Sequence, residues 1–442
     1  MRVCDRAAVA LAGTLYQQMS HAYVIEGGRA LHGEVSCSGA KNSALKLLAA
    51  SLLAPGKHTL SRVPDIADVQ WFCDVVRQLG AEVERKKDGA LDITVPEELG
   101  VEAPYELVSR MRASTAVLGP LLARQGRARV ALPGGCNLGH RGMDLHFRGL
   151  EQLGAKIVVA HGYIEAEADD GLRGAVVSFE YPSHGATENL LMAGTLASGR
   201  TIIENASQEP EIVDLAEFLT KCGASIKGAG THLIEIDGTD RLTPTTHDVM
   251  PDRLEAATFL FGAAAATGDV IVRDMNPDHL RIVLAKLGDM GAKLDIGEDS
   301  VRIAMEQRPR PVDISTLPYP GFPTDLQPLV VAVLATSDGL SIVTENVFDS
   351  RFNFTDELAR MGADIRIEGH YAVVRGVERL TGAPVRAADL RAGASLVVAA
   401  LGAKGRTVVE DVIHIDRGHE RLEEKLTALG ADIRRVAAMA PA

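Results

Sequence analysis

The sequence predicts an α/β protein of two similar domains, built from six copies of one helix-and-sheet unit. Three observations carry this: a Gly-Ala pair that recurs six times, a second glycine that recurs in step with it, and an apolar helix pattern before each second glycine. The Gly-Ala glycines stand at 80, 154, 223, 291, 362 and 430, spaced by 74, 69, 68, 71 and 68 residues. The second set stands at 56, 126, 199, 268, 339 and 405, spaced by 70, 73, 69, 71 and 66. Two separate landmarks sharing one period mark an internal repeat.

Each unit reads in the same order. A helix rich in alanine and leucine is predicted over 43–54, 114–124, 186–197, 254–266, 326–335 and 392–403. These stretches are apolar nearly all round, so they are expected to be buried. A glycine suited to a left-handed helix end follows, then a β-branched strand such as Thr201-Ile202-Ile203 or Thr407-Val408-Val409. A more polar, amphipathic helix comes next, as over 210–221 and 277–289, and should cover the outside. The Gly-Ala turn then leads into two strands, as over 293–296 and 300–305.

The ends suggest how the copies are divided. The sixth unit stops near 434 without its second strand, while 22–37 has strand character and no helix before it. The N-terminal strands are therefore expected to complete the C-terminal half. This gives one domain over 41–250 with three repeats, and one over 22–40 plus 251–442 with the other three. The chain crosses between them near 39–41 and 247–251, an arrangement that suits a hinge closing on a ligand. Residues 1–21 read as an unstructured extension. Its apolar stretch 7–16 follows two arginines and faintly imitates a signal peptide, but Asp5 and the alanine-glycine content argue against secretion. Met19 is an alternative start.

Composition narrows the function. Apolar residues make up 46% of the chain, enough for large cores, and no apolar run approaches a membrane span. The five cysteines are scattered without ligand spacing, which points to a reducing cytoplasm and away from disulfides or a zinc site. A formal net charge of −13 disfavours nucleic acid and anionic membranes as partners. Neither a metal nor a cofactor is expected. Any anion must bind through local cationic clusters.

Such clusters stand at the starts of the buried helices: Ser38-Gly39-Ala40-Lys41-Asn42, Arg110-Met111-Arg112-Ala113-Ser114, Ser183-His184-Gly185, Asp252-Arg253, Thr324-Asp325 and Asp389-Leu390-Arg391. Helix N-termini present free N–H groups and a positive dipole end to phosphates and carboxylates. Taken alone, Thr324 and Asp252 read as ordinary N-caps rather than as anion contacts, and Glu188 as a favourable first-turn acid. Lys41, Arg112 and Arg391 oppose the dipole and so favour anion binding. Arg253 and Arg351 read either as ion pairs between halves or as substrate contacts. The stretch 132–146 holds four glycines around Cys136, His140 and Arg141, and reads as a lid whose exposed thiol is favoured as thiolate.

Ser38-Gly39-Ala40-Lys41-Asn42, Met111-Arg112-Ala113-Ser114, Leu132-Pro133-Gly134-Gly135-Cys136, Glu209-Pro210-Glu211-Ile212-Val213-Asp214, Phe322-Pro323-Thr324-Asp325, Asp389-Leu390-Arg391-Ala392 and His414-Ile415-Asp416-Arg417-Gly418 occur in order. Together they resemble the enolpyruvyl transferases, in the branch acting on UDP-N-acetylglucosamine, from about Val24 to Val436. The resemblance implies a two-domain inverted α/β barrel of six βαβαββ units, three per domain, with the active site in the interdomain cleft. It implies a cytoplasmic enzyme of peptidoglycan precursor synthesis, a monomer or weak homo-oligomer, whose small-molecule substrates are phosphoenolpyruvate and UDP-N-acetylglucosamine. By the same resemblance, Asp325 is the base at the sugar hydroxyl. Cys136 is the lid acid, a covalent partner, or both, and the residue alkylated by fosfomycin. Lys41, Arg112, Arg141, Arg391 and Arg417 hold phosphoenolpyruvate and the developing charge, with Lys41 and Arg417 also catalytic. Asn42 contacts the amino sugar and Asp389 sits beside the lid. Asp144, Leu145, Ser183, His184, Gly185 and Val347 bind the nucleotide sugar.

Two departures fall on the nucleotide side: Gly142-Met143 where the family has Pro-Val, and Tyr181 where a lysine is frequent. They leave a different hydroxyl acceptor as the alternative. A non-catalytic nucleotide-sugar binder would not need Asp325, Cys136 and the cations together.

Overall fold

The computed structural model describes residues 21–133 and 142–437. Cys136 and Arg141, with the rest of 134–141, lie outside the described residues, as do residues 1–20 and 438–442. The strands form six four-stranded sheets with one internal order. In the third unit, Val176–Ser178 runs parallel to Arg200–Glu204, which pairs antiparallel with Leu233–Asp237, itself antiparallel to Ser225–Lys227. The parallel step needs a crossover, and the buried helix His184–Gly194 supplies it. Pro210–Lys221, expected to cover the outside, is instead largely buried and packs against Lys41–Ser51, because Ile212, Leu215, Ala216, Phe218 and Leu219 need cover. The result is a mixed α/β fold repeated six times.

The Gly-Ala turns form for a local reason. All six glycines take φ between 91° and 104°, a region open to glycine because it lacks a Cβ. At Gly223 the turn returns two bonds to the ending helix, Gly223 N–H to Thr220 O at 2.9 Å and Ala224 N–H to Leu219 O at 3.0 Å. Gly268 departs from the second landmark's pattern. Thr267 takes the left-handed conformation at φ 50°, while a Cβ at Gly268 would stand 2.5 Å from the Leu31 carbonyl oxygen.

The buried helices start earlier than their apolar patterns: Lys41–Ser51, His184–Gly194, Arg253–Ala265 and Leu390–Gly402 each begin inside the polar loop. The predicted helix 114–124 is corrected in kind. It opens as a 3₁₀ segment, Arg112–Val117, and becomes α-helical only over Leu118–Gln125. Pro120, which has no N–H to give, then falls in the first α-turn, where donors have no intrahelical partner.

Two separate hydrophobic cores result. One gathers residues between Ala40 and Val249; the other joins Tyr23, Ile25, Leu31 and Val35 to residues between Leu254 and Ile433. The strand His21–Gly27 sits between Gly405–Glu410 and Asp432–Ala437, and His32–Ser36 pairs in parallel with Asp269–Arg273. In return, Thr246–Asp248 pairs with Gly56–Ser61 of the first unit. This short Thr-His-Asp strand carries no apolar alternation and was not legible in the sequence. The two chain crossings lie side by side: Ala40 N–H donates to Met250 O at 2.7 Å and Asp252 N–H to Ser38 O at 2.9 Å. No described helix is long and apolar enough to cross a membrane.

Candidate active site

Two adjoining cavities, of about 480 and 210 Å³, share Asn42, Arg112, Ala113 and Asp325 in their walls. Residues at the N-termini of all six buried helices line one or both of them. The repeat explains this convergence, because six equivalent crossover helices present the same end to one cleft.

The smaller cavity is lined by Lys41, Arg112, Arg351, Arg391 and Arg417 against Asp68, Asp325 and Asp389. Five cations facing three carboxylates leave an excess of positive charge for an anionic ligand. The buried Asp68 binds Lys41 Nζ at 2.6 Å with one oxygen and Arg417 Nε at 2.8 Å with the other. Burial opposes its ionisation, but Lys41 and Arg417 outweigh that and hold its carboxyl below the ordinary range. Burial lowers the Lys41 ammonium from its usual value, with Asp68 opposing. Arg417 also lies over the Trp71 ring, 5.7 Å from its centroid. Asp325 is clamped by Arg351 at 3.1 Å through one oxygen and by Arg391 at 3.0 Å through the other. Asp389 caps its helix, accepting from the N–H groups of Arg391 and Ala392.

The larger cavity is lined by Ser183, His184 and Gly185, with Lys46, His146, Glu188, Glu209, Arg253 and Val347. Ser183 caps the helix by accepting from Ala186 N–H. The buried Glu188 pairs with Lys46 and lies 3.0 Å from His184 Nε2. Burial opposes protonation of His184, yet Glu188 raises its pKa to about 9, so the imidazole is cationic at neutral pH. His146 is pushed the other way, to about 4, by burial and by Arg112, and is neutral. Its Nδ1 accepts from Asn189 Nδ2 at 3.1 Å. Gly185 leaves room for the His146 ring, since a Cβ there would stand 3.0 Å from it and press the ring aside. On the other side Glu345, which is buried, accepts from Thr316, Thr324 and the N–H groups of Val347 and Phe348, fixing the segment that carries Val347.

The family described as EPSP synthase (3-phosphoshikimate 1-carboxyvinyltransferase) matches residues 25–426. The chain belongs to that family. Among its relatives is the UDP-N-acetylglucosamine 1-carboxyvinyltransferase 2 of Carboxydothermus hydrogenoformans, 54% identical over 416 residues, covering 94% of this chain and 99% of that one. The UDP-N-acetylglucosamine 1-carboxyvinyltransferase of Corynebacterium jeikeium is 50% identical, covering 95% and 100%. Among solved structures, the enolpyruvyl transferase NikO from Streptomyces tendae superposes with a TM-score of 0.84 at 26% identity, over 95% of this chain and 100% of NikO. An EPSP synthase from Acinetobacter baumannii gives 0.72 at 19% identity, over 94% and 100%, a likeness of fold alone.

In this enolpyruvyl transferase chain, the residues singled out from sequence are distributed as follows. Lys41, Asn42, Arg112, Asp325, Asp389, Arg391 and Arg417 line the smaller cavity; Ser183, His184, Gly185 and Val347 line the larger, with Asn42, Arg112 and Asp325 on both. Asp144 and Leu145 open the helix Asp144–Gln152 outside both cavities, and His146 of that helix lines the larger one instead. Arg112 Nη2 donates to the Gly142 carbonyl at 3.3 Å. Arg351 lines the smaller cavity, and Arg253 makes the ion pair expected between halves, with Glu211, and also lines the larger cavity. Sequence reasoning missed Asp68, Lys46 and Glu345. Lys46 carried a usable signal: it lies four residues after Asn42 on the same face of an otherwise apolar helix. Asp68 carried none, since an acid in a first helical turn is common.

Proposed function

We propose that this chain transfers the enolpyruvyl group of phosphoenolpyruvate to the 3-hydroxyl of UDP-N-acetylglucosamine, releasing phosphate, as the first committed step of peptidoglycan precursor synthesis. The observation that carries the reading is the junction of a small cation-lined cavity with a larger one at Asn42, Arg112 and Asp325. Identity of 50–54% with relatives named for this reaction favours the nucleotide-sugar acceptor over shikimate 3-phosphate.

In this reading phosphoenolpyruvate occupies the smaller cavity, its phosphate and carboxylate held by Lys41, Arg112, Arg391 and Arg417, with Arg141 added from the lid. The amino sugar enters the larger cavity with its 3-hydroxyl at Asp325 and an amide contact to Asn42. Asp325 takes the hydroxyl proton as the sugar oxygen bonds to C2 of phosphoenolpyruvate, while C3 gains a proton from an acid, for which we propose Cys136. The tetrahedral ketal then loses a C3 proton and expels phosphate, restoring the double bond on the sugar. Fixed cations stabilise the charge that develops on the departing phosphate. Asp389, which holds the start of the helix bearing Arg391, keeps that arginine aimed. Val347, Ser183, His184 and Gly185 line the nucleotide-sugar side, and we assign Asp144 and Leu145 to its outer rim.

We take the chain to act as a monomer or weak homo-oligomer. The buried, unpaired Cys37, Cys73 and Cys222 support a reducing, cytoplasmic setting. The two crossings at 39–41 and 250–252 support a division into a domain over 41–250 and one over 22–40 plus 251–442.

The experiment is phosphate release from phosphoenolpyruvate with and without UDP-N-acetylglucosamine. Release that needs the nucleotide sugar, and is lost with fosfomycin and in Cys136→Ala, is the expected result. No acceptor-dependent release would overturn the reading and direct the search to other hydroxyl acceptors.

A further inference from the structure

Arg253 has one nitrogen that its ion pair does not use. Its Nε and Nη2 donate to the two oxygens of Glu211 at 3.0 and 3.1 Å. That bidentate grip fixes the guanidinium plane across the boundary between the two cores. The third nitrogen, Nη1, is buried and has no hydrogen-bond partner among the described residues. The residue as a whole is only 6% exposed, yet it lines the larger cavity. A buried ionised donor left unmatched is costly, and native structures seldom keep one without a reason.

The helix that starts at Arg253 supplies no such reason. Asp252 already caps it, accepting from the N–H groups of Leu254 and Glu255. A cation in the first turn opposes the helix dipole. The Tyr319 ring lies 5.5 Å from the guanidinium carbon, which supports the plane but satisfies no N–H. The same cavity is lined by Ser183, His184 and Gly185 at an opposing helix N-terminus, and Glu211 interacts electrostatically with both His184 and Arg253. A donor from one half and a cationic helix start from the other thus stand around one neighbourhood of the cavity.

We propose that Arg253 Nη1 donates a hydrogen bond to a phosphate oxygen of the nucleotide sugar's diphosphate, so that both halves of the protein grip that group. This rests on the nucleotide-sugar reading given above. The pair with Glu211 is neutral overall, so Arg253 contributes direction, and His184 with Lys46 contributes the charge. A phosphate oxygen is the acceptor that benefits most from a pre-oriented guanidinium N–H.

The test is direct binding of UDP-N-acetylglucosamine, UDP and uridine to wild type and Arg253→Lys, by calorimetry with uridine measured in competition. Lysine keeps a cation against Glu211 and cannot supply the third, fixed donor. Affinity for UDP-N-acetylglucosamine and UDP is expected to fall roughly tenfold or more, as for the loss of one charge-assisted bond, with uridine binding unchanged. Should Arg253→Lys lose its folded circular-dichroism signal, the double variant Glu211→Gln/Arg253→Met removes both charges and must show the same contrast. Equal losses for UDP and uridine, or no loss for either, overturn the inference. A wild type that binds UDP tightly beside an unchanged variant overturns this inference alone. A wild type that binds none of the three ligands overturns the nucleotide-sugar reading, and this inference with it.

Discussion

The Thr324 hydroxyl donates to both carboxylate oxygens of Glu345, at 3.1 and 3.0 Å, so the residue directly before Asp325 is tied to the segment that carries Val347. Among the described residues Glu345 pairs with no cation; hydroxyls and backbone N–H groups satisfy it. Such a carboxylate works as a template, because every donor around it points inward.

Glu345→Gln should therefore loosen two parts of the site together. The amide would turn an NH₂ toward donors that need an acceptor, at a cost of about 2 kcal/mol in stability. The KM for the nucleotide sugar should rise more than that for phosphoenolpyruvate, because Val347 lines only the larger cavity. Steady-state kinetics with each substrate varied in turn, beside a thermal melt, checks both.

Asp325→Asn separates chemistry from binding. The amide cannot accept the hydroxyl proton, and kcat should fall by roughly two to four orders of magnitude. Arg351 and Arg391 would lose their shared carboxylate, making the smaller cavity more positive, so phosphoenolpyruvate should bind at least as tightly. Equilibrium binding of phosphoenolpyruvate to the variant reads the second effect; a large loss of binding would contradict the proposed role.

Asp68→Asn should act through Lys41 and Arg417, which it holds at 2.6 and 2.8 Å. Breaking a buried pair by removing one partner costs about 3 kcal/mol or more. The two cations would repel each other without it, so KM for phosphoenolpyruvate should rise. The fluorescence of Trp71, the only tryptophan in the chain, should shift as Arg417 moves off its ring.

His184 gives a pH-dependent signature in stability. Its folded pKa, about 9, lies above the unfolded value near 6.5, so its pairing stabilises the fold fully below about 6.5 and loses that effect as pH rises through about 9. Glu188, held near 2 against burial by Lys46 and His184, stays ionised across that range. The melting temperature of wild type should exceed that of His184→Gln most at pH 6, with the gap closing toward pH 9. A gap constant between those values would contradict a cationic His184.

The repeat made most of the architecture legible, because a Gly-Ala turn needs only a local cause: one residue at positive φ and two bonds returned to the helix. The convergence of Lys41, Arg112, Asp325 and Arg391 was legible for a related reason, since equivalent positions in equivalent units end up at equivalent places. What stayed hidden depends on contacts distant in sequence. Asp68 takes its role from Arg417, 349 residues away, and Thr246–Asp248 takes its strand character from Gly56–Ser61. Neither has a local pattern that distinguishes it from a helix cap or a loop. The stretch around Cys136 is a third case: Cys136 and Arg141 stood out by composition, and they lie outside the described residues.

The placement of the strand His21–Gly27 between Gly405–Glu410 and Asp432–Ala437 also sets an order of events on the ribosome. The segment between the crossings can complete its own three sheets as soon as Thr246–Asp248 has emerged. The strand made before it must wait, with its apolar Tyr23 and Ile25 uncovered, until Gly405–Glu410 and Asp432–Ala437 have emerged. A strand made ahead of the first unit is then among the last to find its neighbours, and its pairing closes the second half.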